Sequence, residues 1–262
     1  MASSFPIDTA QASFSLTLFH RMNRRSLSLL FFILAISVGW YFIFGMNVQT
    51  DRDRAAAKNV TPLLEEDLTT KGLKLGAPVF IRAFKEERKV ELWIQETGKK
   101  TFALFRTYRV AASSGDLGPK FAEGDRQVPE GFYFVPPSQM NPNSRFHLAF
   151  NVGYPNAYDR AHGRHGTAIM IHGSEVSTGC LAMTDPKIEE IYTLCDAAHR
   201  GGQKFFLVHL FPFRMNTERM FLARDSPWYS FWKNLETGYQ WFEQKKIPPN
   251  ATVQDKKYHF GD

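Results

Sequence analysis

Ile169-Met-Ile-His172-Gly173-Ser-Glu-Val-Ser177-Thr178-Gly179-Cys180-Leu-Ala-Met183 decides how this chain is read. The apolar run before the histidine predicts a short strand that delivers His172 at its C-terminal end. A polar loop then turns back to a cysteine placed behind a glycine, in a tight Ser-Thr-Gly-Cys turn ahead of Asp185-Pro186. A thiol is only a few per cent ionised at neutral pH, and a neighbouring imidazole can depress its pKa from about 8.5 to well below 7. Gly179 allows a backbone conformation closed to other residues, so that the amides of Gly179 and Cys180 can point at one spot as an oxyanion hole. The residues therefore predict a cysteine nucleophile, Cys180, served by His172.

Three readings compete with it. A free cysteine is commonly a small buried hydrophobe, which suits Cys195, on the apolar face of a predicted helix, better than Cys180 in its polar loop. In an oxidising compartment the two thiols would instead pair and silence the nucleophile. His162, His165, His172 and Cys180 compose a third possibility, a zinc site, but their spacing matches no standard motif; no metal or other cofactor is expected. His209, inside an apolar run, is expected as a core histidine.

Outward from this stretch the pattern is strand-like. Residues 78–84, 89–95 and 101–111 are short apolar or alternating runs rich in Val, Ile, Phe and Tyr, separated by turn signals such as Glu96-Thr-Gly-Lys. Residues 131–135, 145–152, 167–172 and 204–211 continue the series, the last as a deeply buried strand. One helix interrupts them. Asp185 is the predicted N-cap, Pro186 fits the first helical position, Ile188, Ile191, Cys195 and Ala198 share a face, and Gly201-Gly202 ends it. A second helix opens at Ser226-Pro227, with Trp228, Phe231, Trp232, Leu235, Tyr239 and Phe242 as an aromatic stripe at helical spacing, expected to pack on the domain.

At the other end, residues 26–50 carry no charge and residues 27–46 are almost wholly apolar, about the 20 helical residues needed to cross a hydrocarbon layer. Arg21, Arg24 and Arg25 stand just before this segment, which predicts an N-terminus retained in the cytoplasm and an exported remainder. A cleaved signal peptide is the competing reading, but its apolar region usually runs only about 7–15 residues before a small-x-small site; here such a site, Ala55 to Ala57, lies behind four charged residues. The expected organisation is a cytoplasmic segment (1–25), a membrane anchor (26–50), a spacer (51–72), a mainly β, β-rich α+β catalytic domain (73–212) and a helical C-terminal extension (213–262).

Composition sets the outer limits. With 262 residues, 44% hydrophobic and 15% aromatic, the chain must fold around a core. Two cysteines exclude a disulfide-stapled scaffold. A net charge of +6 suits anionic surroundings, and no Lys/Arg run with interleaved aromatics favours nucleic acid as a partner.

The order strand, His-Gly, loop, Ser-x-Gly-Cys, helix resembles the catalytic signature of the L,D-transpeptidase (YkuD-like) family of exported cell-wall enzymes. The segments Ser114-Gly-Asp-Leu-Gly-Pro-Lys-Phe-Ala-Glu-Gly-Asp-Arg-Gln-Val-Pro-Glu-Gly-Phe-Tyr and Phe150-Asn-Val-Gly-Tyr-Pro-Asn-Ala-Tyr-Asp-Arg-Ala-His-Gly resemble its YafK-like branch. The resemblance, over residues 73–211, implies a β-sandwich with a cradle-like cleft. It also implies that Cys180 attacks the carbonyl at the L-centre of meso-diaminopimelate in a peptidoglycan stem peptide, with His172 moving the proton. The thioester would then pass to an amine, giving a cross-link, or to water. The branch tilts the expectation toward hydrolysis and toward a wall-linked lipoprotein as partner. Periplasmic placement from the inner membrane follows from the same resemblance. Gly173, Ser177, Thr178 and Gly179 would line the substrate site, and Tyr154 would add a hydrogen bond.

Two positions depart from the family pattern. Thr178 stands where a histidine is usual before Gly-Cys, and Ala182 where an arginine is usual two residues after the cysteine. If that arginine holds a substrate carboxylate, another cation must replace it. Arg160 and Arg164 are the candidates, because bidentate carboxylate binding favours arginine, against a reading of both as ordinary solvated loop residues. A catalytically inactive peptidoglycan-binding module is the alternative function; retention of both His172 and Cys180 argues against it.

Overall fold

Residues 49–261 are described in the computed structural model, and their strands form two sheets that share a core and a separate two-stranded sheet near the C-terminus. In chain order the strands are β1 (Val79–Phe84), β2 (Lys89–Gln95), β3 (Phe102–Arg109), β4 (Gly131–Val135), β5 (Met140–Asn141), β6 (Ala149–Asn151), β7 (Met170–His172), β8 (Leu181–Ala182), β9 (Phe206–Phe211), β10 (Asn250–Gln254) and β11 (Lys257–Gly261). The larger sheet has the order β3-β2-β1-β9-β4, with β1 and β9 parallel; the smaller has the order β5-β6-β7-β8. The helices are α1 (Asp51–Thr70), α2 (Ala157–Ala161), α3 (Asp185–Arg200), α4 (Thr217–Leu222) and α5 (Tyr229–Lys245). With helices of 20, 16 and 17 residues the fold is mixed α+β; the two longest lie outside residues 73–212, for which the sequence predicts a mainly β, β-rich α+β domain.

Every residue of β1 is buried, because the larger sheet is covered on both faces. Val79, Ile81 and Ala83 join Val208 and Leu210 of β9 in one cluster with Phe150, Ile171, Leu181, Ile188 and Ile191, which belong to the smaller sheet and α3. The alternate residues Phe80 and Phe84 pack with Phe211, Tyr239 and Phe242, so α5 covers the opposite face. This is the period-two alternation of a strand with a core on each side. Arg82, 2% exposed, is carried on that second face by Glu91 and Glu243, as a buried charge requires. His209 lies edge-on between Phe80 and Phe132 with neither ring nitrogen bonded, and burial holds it neutral, well below the ordinary histidine value.

Three expectations change. The spacer is α1, docked on the domain: Ala56, Leu64 and Leu68 belong to the main core with Ile188, Ile191 and Leu194 of α3. The C-terminal region is not solely helical. After α5 it closes as a hairpin whose turn, Asp255-Lys256, has φ of +49° and +57°, and Tyr258 of this hairpin stacks on Tyr158 with ring centroids 4.3 Å apart. The strand predicted over 145–152 shrinks to β6, because residues 145–148 form a loop with His147 at φ +68°. The apolar segment 27–46 lies outside the described residues; among those described, no helix is long and apolar enough to cross a membrane.

Burial separates two leucines of α1 that lie five residues apart. Leu68→Ala, at a site 1% exposed, should destabilise the protein by about 2–5 kcal/mol in urea unfolding. Leu63→Ala, at a site 68% exposed, should change stability by no more than about 0.5 kcal/mol.

Candidate active site

β7 and β8 lie side by side and parallel, Ile171 opposite Leu181 and His172 opposite Ala182. Extending this register sets Cys180 opposite Met170, so Met170, His172 and Cys180 fall on one face, and all three line one cavity of about 620 Å³. The connection between the strands is pinned along its length. The Gly173 amide donates to Leu148 O at 3.0 Å, the Met183 amide to His172 O at 2.8 Å and the Thr184 amide to Ser174 O at 2.9 Å. Gly173 has no room for a side chain: an added Cβ would stand 2.5 Å from Asp185 Oδ1 and 2.8 Å from Phe146 O. Asp185 is the first residue of α3 and not its cap; its Oδ1 accepts instead from the Ser174 amide at 2.7 Å. The cap position falls to Thr184, at φ +79° and ψ +154°, a region almost reserved for glycine.

The imidazole and thiol are held separately. Nδ1–H of His172 donates to Gly173 O at 2.6 Å, which fixes the tautomer and leaves Nε2 with its lone pair. Phe146 packs on the ring, centroids 4.8 Å apart. Cys180 Sγ accepts from the Met170 amide at 3.3 Å and lies 3.9 Å from Ala168 O; among the described residues no hydrogen bond joins it to His172. Burial is the leading influence on both groups. It pushes the Cys180 thiol up, against the Met170 amide and the charge of Lys120, and pulls His172 down, against its bond to Gly173. The resting pair is thus a neutral thiol beside a neutral imidazole. This corrects the depressed thiol value that the sequence suggests.

The expected oxyanion donors are both engaged. The Gly179 amide, at φ +80°, donates to Ser114 Oγ at 2.7 Å, and the Cys180 amide donates to Ser177 Oγ at 3.1 Å. Ser177 and Thr178 line the cavity, whereas Gly179 and Gly173 shape the turn behind it.

Tyr154, Arg160 and Arg164 are not brought to the cavity. Tyr154 is buried, its hydroxyl donating to Lys120 O and His165 O. Arg160 is exposed and donates to Pro155 O. Arg164 is buried against Asp159 and three aromatic rings, so its charge is already matched. The cation that does line the cavity is Arg145, stacked on Phe146 and without an acidic partner among the described residues. Sequence inspection missed it because residues 145–148 read as strand. Both cysteines are free, with Cys195 fully buried on α3. His162 is turned to Tyr158 O, and among the described residues no three His, Cys, Asp or Glu side chains converge on a metal position.

Residues 79–209 match the family described as YkuD, L,D-transpeptidase catalytic domain. The chain belongs to that family. It is 41% identical over 203 residues to YafK of Escherichia coli, in both the K12 and O157:H7 strains, spanning 78% of this chain and 80% of each relative. It is also similar to the solved helical cell shape determining protein Pgp2 from Campylobacter jejuni, 20% identical, with a TM-score of 0.40, covering 73% of this chain and 80% of that one. The family match begins at β1 and ends inside β9, so it takes in the cavity and both parallel strand ends but neither α1 nor α5.

A neutral pair has a pH signature. The alkylation rate of Cys180 by iodoacetamide should climb continuously from pH 7 through pH 9 without a plateau near pH 6–7, since the thiol titrates above the ordinary value of about 8.5. His172→Ala should leave that slope unchanged, because the resting imidazole carries no charge to lend. A plateau below pH 7 that disappears in His172→Ala would instead mark an ion pair.

Proposed function

We propose that the protein is a thiol acyltransferase or hydrolase acting on peptidoglycan stem peptides through a thioester on Cys180. One observation carries the reading: in a chain of this family, Cys180 and an imidazole held by Gly173 O line the same cavity. His172 Nε2 removes the Sγ proton as the sulfur attacks the carbonyl carbon at the L-centre of diaminopimelate. The tetrahedral intermediate collapses with cleavage of the C–N bond, and the imidazolium returns its proton to the departing amine. A water or amine, deprotonated by the same nitrogen, then displaces the sulfur and regenerates the thiol. Ser177 can serve the oxyanion, since a hydroxyl that accepts from the Cys180 amide still has its own proton to donate.

Arg145 is the group we assign to the substrate's free carboxylate, in place of Arg160 and Arg164. Its charge faces the cavity wall unmatched, while that of Arg164 is neutralised by Asp159. We take water as the favoured acceptor, with release of a wall-linked lipoprotein as the corresponding outcome. The apolar segment 27–46 is proposed as a single inner-membrane anchor, with the catalytic domain in the periplasm.

Incubation of the purified protein with defined muropeptides, followed by mass spectrometry, tests the reading. Cys180→Ala should abolish every product, and identical products from wild type and variant would end the enzymatic claim. Arg145→Ala should raise KM by about tenfold for peptides with the free carboxylate, the scale of one charge-assisted hydrogen bond. Amidated peptides should be turned over equally by the wild type and this variant.

A further inference from the structure

We propose that Arg52, in the first turn of α1, is a positioning residue that holds the substrate wall of the Cys180 cavity; the assignment rests on the reading of that cavity given above. One amino group of its guanidinium, Nη1, donates to Ser144 O at 2.6 Å and to His147 O at 2.7 Å, with Pro142 O at 3.4 Å. These carbonyls belong to one loop, between β5 and β6, and Asn141, Asn143, Ser144, Arg145 and Phe146 of that segment face the cavity. No carboxylate pairs with Arg52 among the described residues, so its charge is directed at the loop's carbonyl dipoles.

The loop needs such a support. It contains His147 at φ +68°, an uncommon conformation for a residue with a side chain, and residues 142–148 form no regular structure of their own. Its other external ties are His147 Nε2 to Glu189 Oε1 at 2.8 Å, on α3, and the Gly173 amide to Leu148 O at 3.0 Å. Arg52 itself is well anchored. Gln49 Nε2 donates to Asp196 Oδ2 at 3.0 Å, Thr50 Oγ1 donates to Asp53 Oδ1 at 3.0 Å, and the helix behind is buried at Ala56, Leu64 and Leu68. Since Phe146 packs on His172 and Arg145 is its neighbour, the conformation of this one loop sets the place of both the substrate-facing cation and the ring that backs the base. Several donors on a long stem suit arginine for gathering carbonyls; a lysine ammonium keeps three donors on a slightly shorter stem.

Hydrogen exchange read by mass spectrometry on the full chain tests the assignment without reference to catalysis. In Arg52→Ala, amides of residues 143–147 should exchange about tenfold faster while β1, β9 and α3 keep their protection; Arg52→Lys should restore most of the difference. Arg54→Ala, which removes the exposed pair with Asp51 and the bond from Nε to Thr50 O but no bond to the loop, should change nothing there. On a muropeptide substrate Arg52→Ala should raise KM several-fold with little change in kcat, a split that uniform destabilisation does not produce. Unchanged exchange in the loop, or equal acceleration across the domain, would overturn the assignment. If Arg52→Ala does not fold, Arg52→Gln carries the same readout. Should no muropeptide be turned over by the wild type, the proposed function fails, and the exchange result still decides the role of Arg52.

Discussion

β7 and β8 run in the same direction although only residues 173–180 join them. Parallel neighbours ordinarily need a crossover of a dozen or more residues, usually a helix, so this connection must double back in a space too short for one. Backbone bonds from Gly173, Met183 and Thr184, and the carboxylate of Asp185, hold it there. The register that results places the sulfur two residues behind the imidazole on one face. Strain gathers around it. Ser174, Thr184, Ala168 and His147 all have positive φ and border the cavity or its turn; such residues cost roughly 1–3 kcal/mol each and persist only where the surroundings over-determine them.

The same burial that sets this geometry decides the protonation states. Removing water disfavours charge on either partner, so the thiol rises and the imidazole falls, and both effects select the neutral forms. A cysteine site of this kind differs from one with a preformed thiolate and imidazolium. Against burial, the Met170 amide and the Lys120 charge favour the ionised sulfur. A protonated resting thiol is also the less readily oxidised form.

Legibility in the sequence followed the range of the interactions. β1, β2, β4 and β9 are apolar runs bounded by turn residues, and α3 has Pro186 near its start and glycines at its end; all are local signals, and all are present. The turn between β7 and β8 was legible for the same reason, since Gly173, Gly179 and Cys180 carry their constraints within a few residues. The C-terminal hairpin was not: its two turn positions are Asp255 and Lys256, and lysine is no marker for a left-handed turn residue, whereas Asn-Gly or Asp-Gly would have been. The docking of α1 was hidden because three buried side chains among many charged ones give a weak stripe. Arg164 and Arg145 exchanged expectations for a tertiary reason. Asp159, capping α2, takes the first, while a loop that reads as strand presents the second.

Order in the two halves of the cavity therefore has two sources. The half bearing His172 and Cys180 is tied through bonds within residues 170–185 and through pairing with β6, Ala111, Ala112, Ser114 and Leu148. The facing half, residues 141–147, draws its order from α1 and α3, through Arg52 and Glu189, far away in sequence. Segments with few bonds of their own open at lower free energy than those inside a sheet, so undocking α1 would loosen the wall while leaving the nucleophile in place. The two walls of the cavity are then separable in this fold: the turn between β7 and β8 holds His172 and Cys180, and the contact between α1 and the loop before β6 holds the wall that faces them.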